Sequence, residues 1–560
     1  MDTPPLNPAP PAPAAFPRDL HGPVFRWFER NFLELGHEVR LSYLPPLMVY
    51  LAAGLSGLIS IAGTFFIKEH LALSAEFLAA LAFWGLLPWV LKMPVGHLVD
   101  LMWRHKAGLV YFGALLVTAG LLIMVGLLAD LSRMRTVMSA EAWFVVSTLL
   151  MPIGYMLQDC VADAMTAEAV PRVDEHGQPL SEEQRKLGHT TMQTLGRVAI
   201  IGGTVLVALA NVILFSGAQS MSAAQKTVTY LHVYEIALLI PALSIFGVLL
   251  AAMLRRRAGR RLRAHGFDRR EIAQMLSGSP VPPKVNWWII GGGIGFAIFS
   301  VSLGLSDIAF VQEIVFSGSL AIVLFLMWRL MKELDRASQR PLFGTALVIF
   351  AFRSMPTTGA GSSWWMIDVL KFDQQFIAVL ALIGSGLTLA GLFLLRRFMA
   401  ERSVVYTVGL LTVFGAALYL PNIAMFYGFH EWTSAHTHGV IDARFIALID
   451  TALESPLGQV AMIPMLAWIA NCAPDRLKAT YFAVMTSFIN LAVSLSQLLT
   501  KYINQIFVIR REVRDAVTGA VQVPADYSQV GYMLIAVSAF SLIVPLLAIL
   551  FVKFTRFKSA

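Results

Sequence analysis

Apolar runs of about twenty residues recur along the chain, separated by short polar stretches. Runs of that length predict membrane-spanning helices, because lipid offers backbone N–H and C=O groups no partner outside their own helix. A transmembrane barrel would show shorter segments of alternating polarity. The first six runs fall at about Leu44–Ile67, Ala75–Val99, Gly108–Ala129, Ala140–Thr166, His189–Phe215 and Leu231–Leu254. Two more, Trp287–Ala309 and Ile314–Leu330, are joined by a very short turn. A second set of six follows at Phe343–Trp365, Gln374–Arg396, Val404–Tyr427, Val440–Ala470, Ala479–Tyr502 and Gly531–Phe554. The expectation is an all-α polytopic membrane protein of fourteen spans.

Composition agrees with the pattern. The 560 residues are 57% hydrophobic and 14% charged, with a mean hydropathy of +0.67. Soluble domains have roughly 45–50% apolar and 25% charged residues. A net charge of +8 would point a soluble protein toward nucleic acid. Here the basic residues lie between spans, so they read as orientation signals and no nucleic-acid partner is expected. The segment Arg255–Arg270 holds eight arginines directly after a span. It reads as a cytoplasmic charge anchor rather than a lipid-headgroup site. With that segment inside, both termini are cytoplasmic in a protein of the cell inner membrane. Trp103–Lys106, Arg172–Lys186, Arg329–Arg340, Arg396–Arg402 and Arg476–Lys478 fall on the same side. Arg510–Arg514 falls on the other, diluted by Glu512 and Asp515. No cleavable signal peptide is visible, and the Pro/Ala-rich Met1–Pro17 reads as disordered. Val24–Leu41 has the spacing of an interfacial amphipathic helix. Cys160 and Cys472 form no disulfide framework.

The spans divide the chain into a cytoplasmic tail over 1–43, a six-helix bundle over 44–254 and a basic linker over 255–286. An inserted hairpin with its linker over 287–341 precedes a second six-helix bundle over 342–560. Six and six, each starting inside, suit the two halves of a major-facilitator fold, with binding near the midplane between them. The halves share a rough symmetry. Their first spans contain AAGLSGLISIAG and SMPTTGAGSS, and their first outer loops are LALSAEF and KFDQQF.

Specific stretches add a resemblance. Pro88, Trp89, Lys92, Gly96 and Asp100 in LLPWVLKMPVGHLVD match the end of the second span in the folate–biopterin transporter family, a branch of the major facilitator superfamily. Pro356 and KFDQQFIAVLALIGSGLTLAG resemble that family's seventh and eighth core spans. MIPMLAWIANCAPDRLKATYFAVMTSFINL resembles its tenth-to-eleventh region, including Pro464, Pro474, Ser487 and Asn490. The second inner loop, LMWRHKAG, is shorter than the family's. QDCVADAMTAE at Gln158–Glu168 instead resembles the muropeptide permease and acetyl-CoA transporter group.

Charges at membrane depth are the candidate working residues, since each costs roughly 2.5–3.5 kcal/mol or more. Arg353 lies about ten residues into its span, where a guanidinium suits a carboxylate or phosphate. Trp364 and Trp365 are stacking candidates that read more simply as belt anchors at the outer interface. Asp450 and Glu454 share a helix face near mid-depth, beside Pro456 and Pro464. A carboxylate out of water there suits substrate contact and proton coupling, or an internal pair with Arg353 or Arg444. Asn490 and Gln497 suit hydrogen bonds between helices or to substrate. Lys92, Asp100, Asp159, Asp163 and Arg197 lie toward the inner ends of their spans and read as a gating or structural charge network. Glu168 reads as a residue at the water boundary. His430, His436 and His438, with Glu431, match no closed zinc spacing and read as a solvated loop. Asp307 and Glu313 flank the hairpin's turn and also read as solvated. No phosphate loop, catalytic triad or cysteine metal motif is present, so neither an enzyme nor a cofactor is expected.

The resemblance implies a secondary active transporter for a small anionic aromatic solute such as folate or pterin, with protons as a coupling partner and lipid as surroundings. A muropeptide or acyl-CoA-like permease is the alternative transporter. A non-transporting membrane assembly or pigment-delivery factor on the same fold is the alternative of another class.

Overall fold

The computed structural model describes residues 40–71, 73–103, 105–171, 173, 178, 180–276, 285, 287–304, 306, 308–332, 336–395, 402–457, 478–514 and 521–555. Most of the expected amphipathic segment Val24–Leu41, together with Asp307, Cys472, Pro464 and Pro474, lies outside these residues.

Among the described residues, ten helices are long and apolar enough to cross a membrane, from Leu41–His70 to Val530–Phe554. Two shorter apolar helices, Ile289–Gly304 and Leu342–Arg353, coincide with other predicted spans. The first span is α1 (Leu44–Leu55) and α2 (Ser60–His70), joined by a 3-10 turn at Ser56–Ile59. The second is α3 (Ala75–Val90) and α4 (Lys92–Leu101). Pro88 and Pro94 flank the break at Leu91, because proline removes a backbone donor and crowds the preceding turn. Next come α5 (Ala107–Ala129), the short α6 (Leu131–Arg135) and α7 (Ala140–Ala169). α8 (Glu182–Leu214), α9 (Ala223–Ala237) and α10 (Leu239–Ala264) complete the first set, and α11 (Arg269–Leu276) follows in the basic linker.

The hairpin is α12 (Trp287–Gly304) and α13 (Val311–Met331). The seventh core span is split into α14 (Arg336–Arg353) and α15 (Gly359–Asp368). Then follow α16 (Gln374–Leu394), α17 (Val404–Phe426), the short α18 (Phe429–His436), α19 (Ala443–Glu454), α20 (Lys478–Ile506) and α21 (Val530–Phe554). The segment FHEWTSAHTHG, read from sequence as a plain loop, contains α18. A small antiparallel ribbon, β1 (Val513–Arg514) with β2 (Val521–Val523), lies between α20 and α21.

Lipid gives apolar surface little reason to leave it, so these helices gain contact by bringing backbones close at small residues. A Cβ on Gly54 of α1 would lie 2.2 Å from the Ile200 carbonyl oxygen of α8. A Cβ on Gly113 of α5 would lie 2.6 Å from the Gly154 oxygen of α7. Val117, Leu121 and Met124 of α5 are fully buried along the same seam.

The hairpin packs on the core rather than standing apart. A Cβ on Gly293 of α12 would lie 2.5 Å from Pro94 of α4, while α13 lies along α20. Glu313 was expected to be solvated. It pairs with Lys501 at 3.2 Å and accepts the Tyr502 hydroxyl, so it fastens the hairpin to α20.

Candidate functional site

The break at Leu91 turns α4 so that Lys92 reaches α7. Its ammonium lies 2.6 Å from Asp159 Oδ2 and 2.8 Å from Asp163 Oδ2. The two carboxylates are one helical turn apart, so one ammonium bridges both. Tyr50 of α1 donates its hydroxyl to Asp163 Oδ1 at 2.7 Å. Arg197 of α8 is near enough to attract Asp159, although no ion pair under 4 Å joins them among the described residues. Of the expected charge network, Lys92, Asp159 and Asp163 form the bonded centre and Arg197 flanks it.

Asp100 does not join that centre. It is exposed two turns further along α4, beside His97 and Lys106. Lys106 pairs with Glu168 at 2.6 Å, and its ammonium lies 3.7 Å from the centre of the Trp103 ring. Burial pushes the Lys106 ammonium below its ordinary pKa, with Glu168 opposing that shift. The expected single network is therefore two clusters, one deep and one at the rim. Glu168, expected at the water boundary, is mostly buried in its pair.

The split seventh span builds a second feature. After Arg353 the chain leaves the helix at Ser354, passes Pro356 and resumes at Gly359, whose φ is +65°. A left-handed φ of that kind suits glycine, which has no Cβ. The unwound stretch is held by one face of α20. Ser496 Oγ donates to the Met355 oxygen at 2.6 Å, and the Thr357 N–H donates to Thr500 Oγ1 at 2.9 Å. Asn504 Nδ2 donates to the Thr358 oxygen at 3.5 Å and, within α20, to the Thr500 oxygen at 2.9 Å. Ser496, Thr500 and Asn504 are spaced by four, so they make a single polar stripe. Arg353 sits at the start of the break, half-buried, with its Nε lacking a hydrogen-bond partner among the described residues.

Asp450 is buried on α19, where its Oδ2 accepts from Asn422 Nδ2 of α17 at 2.8 Å. Its Oδ1 has no partner among the described residues. The expected pairing with Arg353 or Arg444 is not made: Arg444 instead lies 3.7 Å from Asp373 and donates to the Lys371 oxygen. Glu454, one turn on, is exposed. Asn490 of α20 donates to the Trp89 carbonyl at 3.1 Å, just before the break in the second span. Asn490 thus makes a bond between helices. No group of three or more His, Cys, Asp or Glu able to hold a metal ion occurs among the described residues.

At the predicted outer end, contacts join early helices to late ones. Lys68 of α2 pairs with Asp368 of α15 at 2.6 Å, and Tyr527 donates its hydroxyl to the same carboxylate. Burial and that bond to Asp368 raise the Tyr527 phenol above its ordinary pKa. Gln374 donates to the Tyr230 hydroxyl at 2.7 Å, and Gln505 donates to Glu76. Trp364 and Trp365 do not form an interfacial belt. Both are 2% exposed, and the Arg511 guanidinium lies 5.5 Å from the centre of the Trp364 ring. The chain after α20 folds back over them, which amphipathic pattern alone does not reveal. Lys68, Asp368, Tyr50, Asn422 and Lys106 were not singled out from sequence.

The BT1 family matches residues 297–558. A relative from Synechocystis sp., named folate-biopterin transporter, is 22% identical over 472 residues, covering 84% of this chain and 76% of its own length. The resemblance to the folate–biopterin transporter family is borne out. Among solved structures, a POT family transporter in complex with a thioalcohol-conjugated peptide aligns with a TM-score of 0.58 at 12% identity. The alignment covers 93% of this chain and 96% of that one. A POT family transporter in complex with 5-aminolevulinic acid gives the same TM-score, identity and coverage. These likenesses show the fold, which is that of major-facilitator-like transporters. With ten helices among the described residues long and apolar enough to cross a membrane, the chain is a multi-pass membrane protein.

Proposed function

We propose that this chain is a secondary active transporter that moves a small anionic aromatic solute, such as a folate or a pterin, across the cell inner membrane by alternating access. The match to the BT1 family, with a relative named folate-biopterin transporter, carries the substrate class. The proposed architecture is fourteen spans with cytoplasmic termini: six-helix bundles over 44–254 and 342–560, and a peripheral hairpin within 287–341. The predicted spans and their loop charges support it. Arg353, beside the split helix, is the proposed anchor for the solute's negative charge. A discontinuous helix near mid-depth is where transporters of this build place binding sites.

Asp450 and Glu454 are proposed to carry the coupling proton. Asp450 is bonded to a neutral amide, and no cationic partner lies against it among the described residues. A proton is then what can remove its charge when the site closes. The Lys92–Asp159–Asp163 centre is proposed to hold the start of α4, at the break in the second span, against the inner half of α7 as a gate. Support comes from one cation bridging two carboxylates at a helix break.

Uptake of labelled folate and pterin into proteoliposomes tests the reading. An inwardly directed proton gradient should accelerate accumulation severalfold. Transport that ignores the gradient removes the coupling, and failure to bind or exchange any folate or pterin removes the substrate class.

A further inference from the structure

One cavity is lined by neither Arg353 nor Asp450. Its volume is about 980 Å³, and it is a half-open cavity lined by the start of α1, the turn Trp103–Ala107 before α5, the end of α7, the second half of α10 and α11. Arg40, Arg255, Arg257 and Arg261 stand exposed around it. One lining carboxylate, Glu168, is already held by Lys106 at 2.6 Å. The floor is apolar and includes Val161, Met165, Val248 and Leu262, all buried.

The order of these residues along α10 sets the chemistry. Val248 and Ala251 line the cavity within the apolar part of α10, and Arg255 begins the arginine run. Val248 and Arg255 are roughly 10 Å apart along the axis, at about 1.5 Å per residue. The guanidinium groups therefore sit where hydrocarbon gives way to headgroups, and the apolar floor lies below them. α11 closes one side with Met275 and Leu276 while turning Arg269 and Arg270 to solvent.

We propose that this cavity binds one anionic phospholipid, its phosphate held by Arg255, Arg257 and Arg261 and an acyl chain laid on the Val248–Val161 floor. Guanidinium forks match phosphate oxygens in pairs. A free phosphate would use the arginines but leave the floor uncovered. A lipid satisfies both and enters sideways from the bilayer. The site needs neither the proposed solute nor proton coupling.

Native mass spectrometry of the full chain, exchanged into phosphatidylglycerol or phosphatidylcholine, tests the proposal. Wild type should retain one phosphatidylglycerol in preference to phosphatidylcholine. Arg255→Gln/Arg257→Gln/Arg261→Gln should weaken that retention at least about tenfold, as expected for three charges near a lipid phosphate. Arg256→Gln/Arg260→Gln/Arg263→Gln removes equal charge from the same helix at residues that do not line the cavity, so it forfeits only the screened longer-range attraction and should weaken retention clearly less than the lining triple. Arg255→Lys/Arg257→Lys/Arg261→Lys keeps the charge and should retain the lipid, which separates binding from misfolding. Equal loss in both glutamine triples would overturn the proposal in favour of general surface charge. Displacement of the lipid by glycerol phosphate at matched concentration would overturn it in favour of a phosphate site.

Discussion

Lys68 Nζ lies 2.6 Å from Asp368 Oδ1, fastening the end of α2 to the end of α15. Both side chains are partly exposed, so the pair is worth at most about 1 kcal/mol, or about a fivefold shift between two conformations. Asp368→Asn should let a membrane-impermeant maleimide reach Thr357→Cys up to about fivefold faster in a background lacking Cys160 and Cys472. The charge-reversed pair Lys68→Asp/Asp368→Lys should restore slow labelling. Equal rates in all three proteins would show that this contact closes nothing.

Lys92 bridges two carboxylates, so removing it strands both. Lys92→Ala should lower stability by about 1–3 kcal/mol, since it strands the mostly buried Asp159 while Asp163 is half exposed. Adding Asp159→Asn and Asp163→Asn to that variant should recover most of the loss. Thermal melts in detergent measure this. A single variant as stable as wild type would mean that water already reaches the cluster.

The unwound stretch after Arg353 depends on side chains of another helix. Thr500→Val keeps the shape but leaves the Thr357 N–H without its acceptor, which should cost about 1–3 kcal/mol. Amide exchange at Thr357 should speed up accordingly, while exchange in the middle of α5 stays unchanged. Uniform acceleration across the chain would point to global destabilisation instead.

Asp450→Asn removes a charge and leaves an amide of nearly equal size beside Asn422. Solute exchange without a gradient should survive within about threefold, because the expected loss is of coupling rather than of packing. Acceleration by a proton gradient should vanish. A variant still driven by the gradient would move the coupling elsewhere.

Asp526 closes the ribbon over Trp364 through paired backbone bonds with Arg510 at 3.0 and 2.8 Å. The Ser528 hydroxyl and N–H both donate to its carboxylate and hold its pKa below the ordinary 3.8. A depressed carboxylate stabilises the fold above its unfolded value, and that contribution is lost as pH falls through the folded value. Exchange protection at the Arg510 N–H should therefore decline below about pH 4 in wild type. In Asp526→Asn it should change little with pH over the same range.

Most span positions were legible because a membrane requires long apolar helices, and that requirement is written directly into sequence. The breaks in the second and seventh spans were not read from sequence, which gave each as one run, although proline stands at both, at Pro88, Pro94 and Pro356. Charge partners were only half legible. Depth brought Lys92 near Asp159 and Asp163, but it could not distinguish Arg353 from Asn422 as the neighbour of Asp450. That choice depends on which faces α17 and α19 turn to each other. Trp364 and Trp365 were misread because their cover comes from far along the chain: Arg511 lies over Trp364, and Ile509 and Tyr527 pack in the same core as Trp365. Glu313 was misread for a similar reason: its partners lie on a helix nearly two hundred residues away.

The hairpin has one foot on each side of a seam. α12 rests on α4 through a close apolar contact at Pro94, while α13 is tied to α20 through Glu313. Asn490 bonds the chain just before α4 to α20 at the same seam. Any rocking of α20 against α4 must therefore shear the hairpin along its own length or pull one foot free. The contact that yields decides which part of the protein carries the insertion as cargo. A crosslink across α12 and α13 would then act as a brake on the turnover cycle.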